Sequence, residues 1–165
     1  MASSDEKIRE TQRLLGQATI ALSSLDTLLE RLFMQFTMLE HEMASTIYLA
    51  TDGIGRRRQL ADAVAKIALK DPAMLAEWSS IATEHAEVFR ERNRLLHDTW
   101  ALNPEDGTFL LLRQIVPNKG YKSADIMRTI KDDDLVHLAQ RAASLVQRMI
   151  KLSIGFYEST KPKED

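Results

Sequence analysis

A chain of 165 residues, 44% apolar and 28% charged, has the composition of a folded globular protein long enough for one sizeable core. The formal net charge of -2 supplies no global field for nucleic acid, so any such binding must come from a local basic cluster or from a groove made by two subunits. With no cysteine there are no disulfides, thiolate metal sites or thiol nucleophile, which suits a reducing cytoplasm. No apolar run approaches the roughly 18–20 residues that span a bilayer, and residues 1–6 lack the basic-then-apolar order of a secretory signal, so a cytoplasmic protein without a membrane contact is expected.

The first long segment has the clearest periodicity. Ile8, Leu15, Leu22, Leu29 and Phe36 recur every seven residues, and Thr11, Ala18, Leu25, Leu32 and Leu39 follow each by three. This is a heptad seam, and Leu14, Ala21 and Leu28 widen it beyond the stripe of a two-stranded coil. A core helix of a bundle and a dimer helix both fit so wide a stripe. The pattern can run on through Met43 and Ile47 to Ala50, with a bend near Thr37–Glu40. It stops at Gly53-Ile54-Gly55. That glycine pair is no dinucleotide fingerprint, because Arg58 stands where the third glycine is needed and no strand precedes it. Arg56-Arg57-Arg58 open a helix against its own dipole, which suggests a phosphate or carboxylate contact or a solvated basic face.

Leu60, Val64, Ile67 and Ala68 mark the next helix. Asp71-Pro72 then gives a start signal, with aspartate as cap and proline in the first helical position. From there Trp78, Ala82, Phe89, Leu96 and Trp100 form an apolar stripe. Past Trp100 the period changes. Pro104-Glu105-Asp106-Gly107 is a turn signal, and the runs on either side of it predict a β-hairpin within about residues 100–116. Pro117-Asn118-Lys119-Gly120 is a second turn, and no element is assigned from Tyr121 to Ile130. Asp132-Asp133-Asp134 suits the positive start of a last helix, whose core face is Leu135, Leu138, Ala142, Leu145, Met149 and Leu152. The expected fold is therefore mainly all-α. It is a single helical domain over residues 1–165, a bundle with a long first helix and one short hairpin insertion.

Polar residues interrupt the apolar face at Glu91-Arg92-Asn93-Arg94-Leu95-Leu96-His97. With Leu96 at the centre of the stripe and about 100° per residue, Arg92 falls about 40° to one side, Asn93 about 60° to the other, and His85 within about 20°. A guanidinium placed there requires a partner, a cleft or a subunit interface. Glu30 or Glu40 could supply a carboxylate partner, and His97 could simply cap the helix end, where a cation is favoured. His41-Glu42 begins like a zinc-protease helix, but Ser45 stands where the second histidine must be. His137 reads as surface, and the three aspartates read as a helix start. No metal site and no cofactor are expected.

The order Arg92-Asn93, three residues, His97 resembles the signature of the HEPN superfamily, helical domains of which many are metal-independent RNases. The resemblance implies that Arg92 holds phosphate oxygens, that His97 is the general base, and that Asn93, four residues before His97, orients the histidine or the substrate. It also implies a homodimer whose two subunits line one cleft, acting on RNA in a defence or toxin–antitoxin setting with a cognate protein partner. Arg92 and His97 lie about 140° apart on a regular helix, so they converge only through a long side chain, a distorted turn or two chains. Many members of the superfamily are non-catalytic. The alternative is thus a helical interaction or scaffold protein in which the Arg92–His97 region is structural.

Overall fold

The computed structural model describes residues 4–103, 108–113 and 127–161. Among them are five helices: α1 (Ser4–Thr37), α2 (His41–Ala50), α3 (Ile54–Ala68), α4 (Pro72–His97) and α5 (Asp132–Thr160). Three strands, β1 (Thr99–Leu102), β2 (Phe109–Leu112) and β3 (Met127–Ile130), complete the list. The fold is mainly all-α with a long first helix, as the periodicities require.

The wide seam of α1 is used inside the chain. Leu14, Ala18, Leu22, Leu25, Leu29, Leu32 and Phe36 are all buried. The helix does not bend into α2 but ends, because Met38 takes a left-handed backbone at φ 52°, the conformation that commonly closes helices. The Thr37 hydroxyl donates to the Met34 carbonyl at 2.9 Å beside it.

The chain groups into two compact units. One comprises the chain up to Leu22 together with Val88–Ala142, and therefore holds the sheet, the last turns of α4 and the first turns of α5. Its strands run β1-β2-β3, both pairs antiparallel, with Trp100 opposite Leu111 and Leu111 opposite Arg128. Side chains alternate along a strand, so Trp100, Leu102, Phe109, Leu111, Arg128 and Ile130 share one face. Leu111 and Ile130 on that face are buried. The expected hairpin is formed by β1 and β2, with Trp100 and Phe109 edge-to-face at 5.6 Å. Its Asp106-Gly107 turn and the Pro117–Gly120 turn lie outside the described residues. The strand β3 is an addition to the expected elements.

The other unit, Ser23–Glu87 with Ala143–Asp165, is centred on aromatic side chains. Phe36 meets Trp78 at 5.3 Å and Phe156 at 5.2 Å, both edge-to-face, the arrangement that ring quadrupoles favour. The Trp78 indole donates to Asp62. In α3 the core face is Ala61 and Ala65, followed by Leu69, while Ile67 is exposed, a rotation from the expected stripe. Gly53, at φ 75°, makes the turn into α3. Of the three arginines after it, Arg57 serves the preceding helix: it donates to the carbonyls of Thr51 (3.0 Å) and Leu49 (3.4 Å) and lies over the Tyr48 ring. That is why a cation stands at a helix start. It satisfies the orphan carbonyls at the end of α2.

Candidate active site

The helix α4 begins as its sequence dictates, with Asp71 accepting a hydrogen bond from the Ala73 amide at 2.8 Å. Its buried face is Trp78, Ile81, His85, Val88, Phe89 and Leu95. Leu96, placed at the centre of the stripe by sequence, is 43% exposed, whereas Leu95 is 6% exposed. Trp78, His85 and Phe89 are buried where the periodicity puts them, and only the end of the helix departs from the expected phase, burying Leu95 in place of Leu96. At this end the correction places Asn93 and His97 away from the buried side and leaves Arg92 at its border. Asn93 and His97 are exposed and Arg92 is half-buried.

The end of α4 is held firmly. The Trp100 indole donates to the Leu95 carbonyl at 2.8 Å, the Asp98 amide continues the ladder to Arg94, and the Arg94 and Asp98 side chains pair at 3.6 Å. On this fixed end the Arg92 guanidinium donates to Asn93 Oδ1 at 3.1 Å and lies 5.8 Å from the centre of the Phe89 ring. Among the described residues it forms no ion pair, and Glu30, one partner considered from sequence, accepts instead from the Ser45 hydroxyl. Arg90, Asn93 and His97 form an exposed row along one face, at the three- and four-residue steps of helical neighbours. The structure therefore brings Arg92 and Asn93 into contact and sets His97 on the same exposed side as Asn93. Among the described residues no hydrogen bond joins Arg92 to His97.

The opposite flank of the same turns borders a cleft of about 240 Å³. Glu91 and Leu95 line it, and Arg92, Asn93 and His97 do not. Across it, Arg128 Nη1 donates to Glu91 at 2.7 Å, and Nη2 lies 3.7 Å from Asp134. Sequence reasoning missed this group because its members are far apart in the chain. The available signal was the alternation at Met127–Ile130, which puts an arginine beside an inward isoleucine. Two of the three aspartates at the start of α5 are already engaged. Asp132 accepts from the Thr11 hydroxyl at 2.6 Å, and Asp134 from the Lys131 amide at 3.0 Å. His137 is exposed, as its position implied.

His85, one of the four histidines, is buried, and burial pushes its imidazole down to about 4, with the charge of Arg58 acting in the same direction. It is therefore neutral at physiological pH.

No helix among the described residues is long and apolar enough to cross a membrane. No family model, curated protein or solved structure matches the chain, so the resemblance at Arg92–His97 rests on those residues alone.

Proposed function

We propose that this protein is a HEPN-like, metal-independent endoribonuclease that acts on RNA as a homodimer. The observation that carries the reading is the state of Arg92. A half-buried guanidinium that makes no ion pair among the described residues, steadied only by Asn93 Oδ1 and the Phe89 ring, retains donors for a phosphate. His97 lies in the same short stretch, exposed, and histidine is the side chain suited to move a proton near neutral pH.

In the reaction, His97 takes the proton of a ribose 2′-hydroxyl, and the 2′ oxygen attacks the adjacent phosphorus. The bond from phosphorus to the 5′ oxygen breaks, leaving a 2′,3′-cyclic phosphate, and water protonates the departing 5′ oxygen. Arg92 holds the non-bridging oxygens as their charge grows. Asn93 fixes the guanidinium. Because Arg92 and His97 project about 140° apart on one helix, two α4 ends meeting across a two-fold axis supply the pair, Arg92 from one subunit and His97 of the partner subunit. Leu39, Met43 and Ile47, exposed at four-residue steps, are apolar surface that a second copy would cover.

The test incubates the purified protein with mixed single-stranded RNAs in chelator, beside Arg92→Ala and His97→Ala. Cleavage by the parent and its loss in both variants at unchanged melting temperature is the expected result. An inert parent protein, or variants that cut as well as the parent, would overturn the reading. The contact of Arg92 with Phe89 favours the second reading, a non-catalytic interaction or scaffold protein. In that case Arg92→Ala lowers the melting temperature and leaves RNA affinity unchanged.

A further inference from the structure

The cleft beside the α4 end has a composition that the cleavage chemistry does not use. Its floor is apolar, made by Leu95, Ile130, Leu135 and Leu138, all buried. One wall is the Arg128 guanidinium between the carboxylates of Glu91 and Asp134. His137 and Arg141, one helical turn apart on α5, complete the lining.

We infer that this cleft is a pocket for one unpaired nucleobase of the RNA substrate, selecting bases that carry an exocyclic amine. The inference rests on the reading of RNA as substrate and deepens it. Three observations carry it. First, at about 240 Å³ the cleft is smaller than the roughly 300–1,000 Å³ of sites for drug-sized ligands, so it suits a single planar ring system. Second, the Arg128 guanidinium is held between two carboxylates: Nη1 donates to Glu91 at 2.7 Å, and Nη2 lies 3.7 Å from Asp134 in an ion pair. A planar guanidinium held in this way beside an apolar floor offers a stacking platform for a base. Third, Glu91 is an acceptor-only group at the same wall, its Oε2 held by Arg128, and its other oxygen matches the amino N–H of adenine, cytosine or guanine but not the carbonyl edge of uracil.

A bare anion is a poorer occupant. The two carboxylates offset the charges of Arg128 and Arg141, and the floor is hydrocarbon. In a bound strand His137 and Arg141 would face the sugar and phosphate attached to the base. The pocket and the Arg92–Asn93–His97 set occupy two flanks of the same helical turns. A base held by Glu91 and Leu95 therefore fixes where the neighbouring phosphodiester falls along α4.

The test measures binding of single nucleoside monophosphates to the full chain by NMR titration, independently of any cleavage. CMP is compared with UMP and GMP with IMP, pairs in which the amino group is the relevant difference. The expected result is about tenfold tighter binding of the amino-bearing member in each pair, and about tenfold weaker binding of all four in Arg128→Lys. That variant keeps the charge and its attraction to Glu91 but removes the plane. Equal affinities within both pairs, or an Arg128→Lys protein that binds as the parent does, would overturn the inference. Failure here with RNA cleavage intact sinks the pocket alone. A base preference in a protein that cuts no RNA keeps the pocket and removes the ribonuclease reading.

Discussion

Two histidines on α4, three turns apart, have opposite surroundings. His85 is 1% exposed among Trp78, Ile81 and Val88 on the buried face, and its imidazole is held neutral. His97 ends the helix in the open, four residues beyond Asn93. The residue type is the same and the helix is the same, so their surroundings set them apart, and on the proposed ribonuclease reading only the exposed histidine reaches a substrate. The inner histidine fills core volume, and the outer one is free of that constraint. An arginine from another element holds each stretch of α4. Arg148 donates to Glu77 at 2.7 Å, Glu84 at 2.8 Å and Ser80 at 2.8 Å, and Arg128 donates to Glu91.

The largest expected effect separates the two histidines by activity. His97→Ala should lower RNA cleavage by about 10²–10⁴-fold, the range for loss of a general base, while His85→Leu should leave the rate per folded molecule unchanged. Single-turnover cleavage of one RNA by both variants checks it. A fall of similar size in both would erase the distinction.

The second prediction concerns the phase of the helix. Leu95→Ala should cost about 2–5 kcal/mol and Leu96→Ala less than about 1 kcal/mol, read from urea denaturation. Equal costs would return the stripe to the centre inferred from sequence. That phase was the least legible part of the fold. Leu95 and Leu96 are both apolar, so composition cannot choose between them, whereas His85 is buried where the periodicity placed it. The heptad of α1 was legible because its residues from Leu22 to Phe36 agree on one buried face, although Leu39 lies past the helix end and is exposed. The strand β3 was not, because its inward positions are Arg128 and Ile130, and an inward arginine looks like a surface residue until Glu91 and Asp134 are seen beside it. At the candidate site the sequence order singled out Arg92, Asn93 and His97 as a proposal, and the sides of the helix it gave them shift with the burial of Leu95.

The third prediction uses acid. The His85 imidazole sits at about 4 in the fold, against an ordinary 6.5. Between those values the unfolded chain binds more protons than the folded one, so stability falls as pH falls. The contribution of neutral His85 is complete above pH 6.5 and is lost progressively toward pH 4. The loss amounts to about 3 kcal/mol. Denaturation at about pH 7.5 and about pH 4.5 should show a smaller acid loss in His85→Leu than in the parent. Parallel losses in the two proteins would assign the acid sensitivity elsewhere.

The smallest effect tests the clamp on the inner stretch. Arg148→Met keeps the aliphatic stem but strands Glu77 and Glu84, whose carboxylates remain close to water. It should cost about 1–2 kcal/mol at neutral pH, by the same denaturation assay. Pairing with Arg148 holds Glu77 below the ordinary carboxylate range, so the difference between parent and variant should shrink in acid, as that carboxylate is protonated. A difference that does not change with pH would point to lost packing of the stem instead.

Arg57 belongs to α3 in sequence, but its hydrogen bonds end at Leu49 and Thr51, on the terminal turn of α2. The two short helices therefore share one closure. Fraying α2 from its end releases Arg57, and unwinding the start of α3 withdraws the donors that cover the α2 carbonyls. In amide hydrogen exchange these two turns should open as one cooperative unit with a common protection factor, rather than as two independent fraying ends.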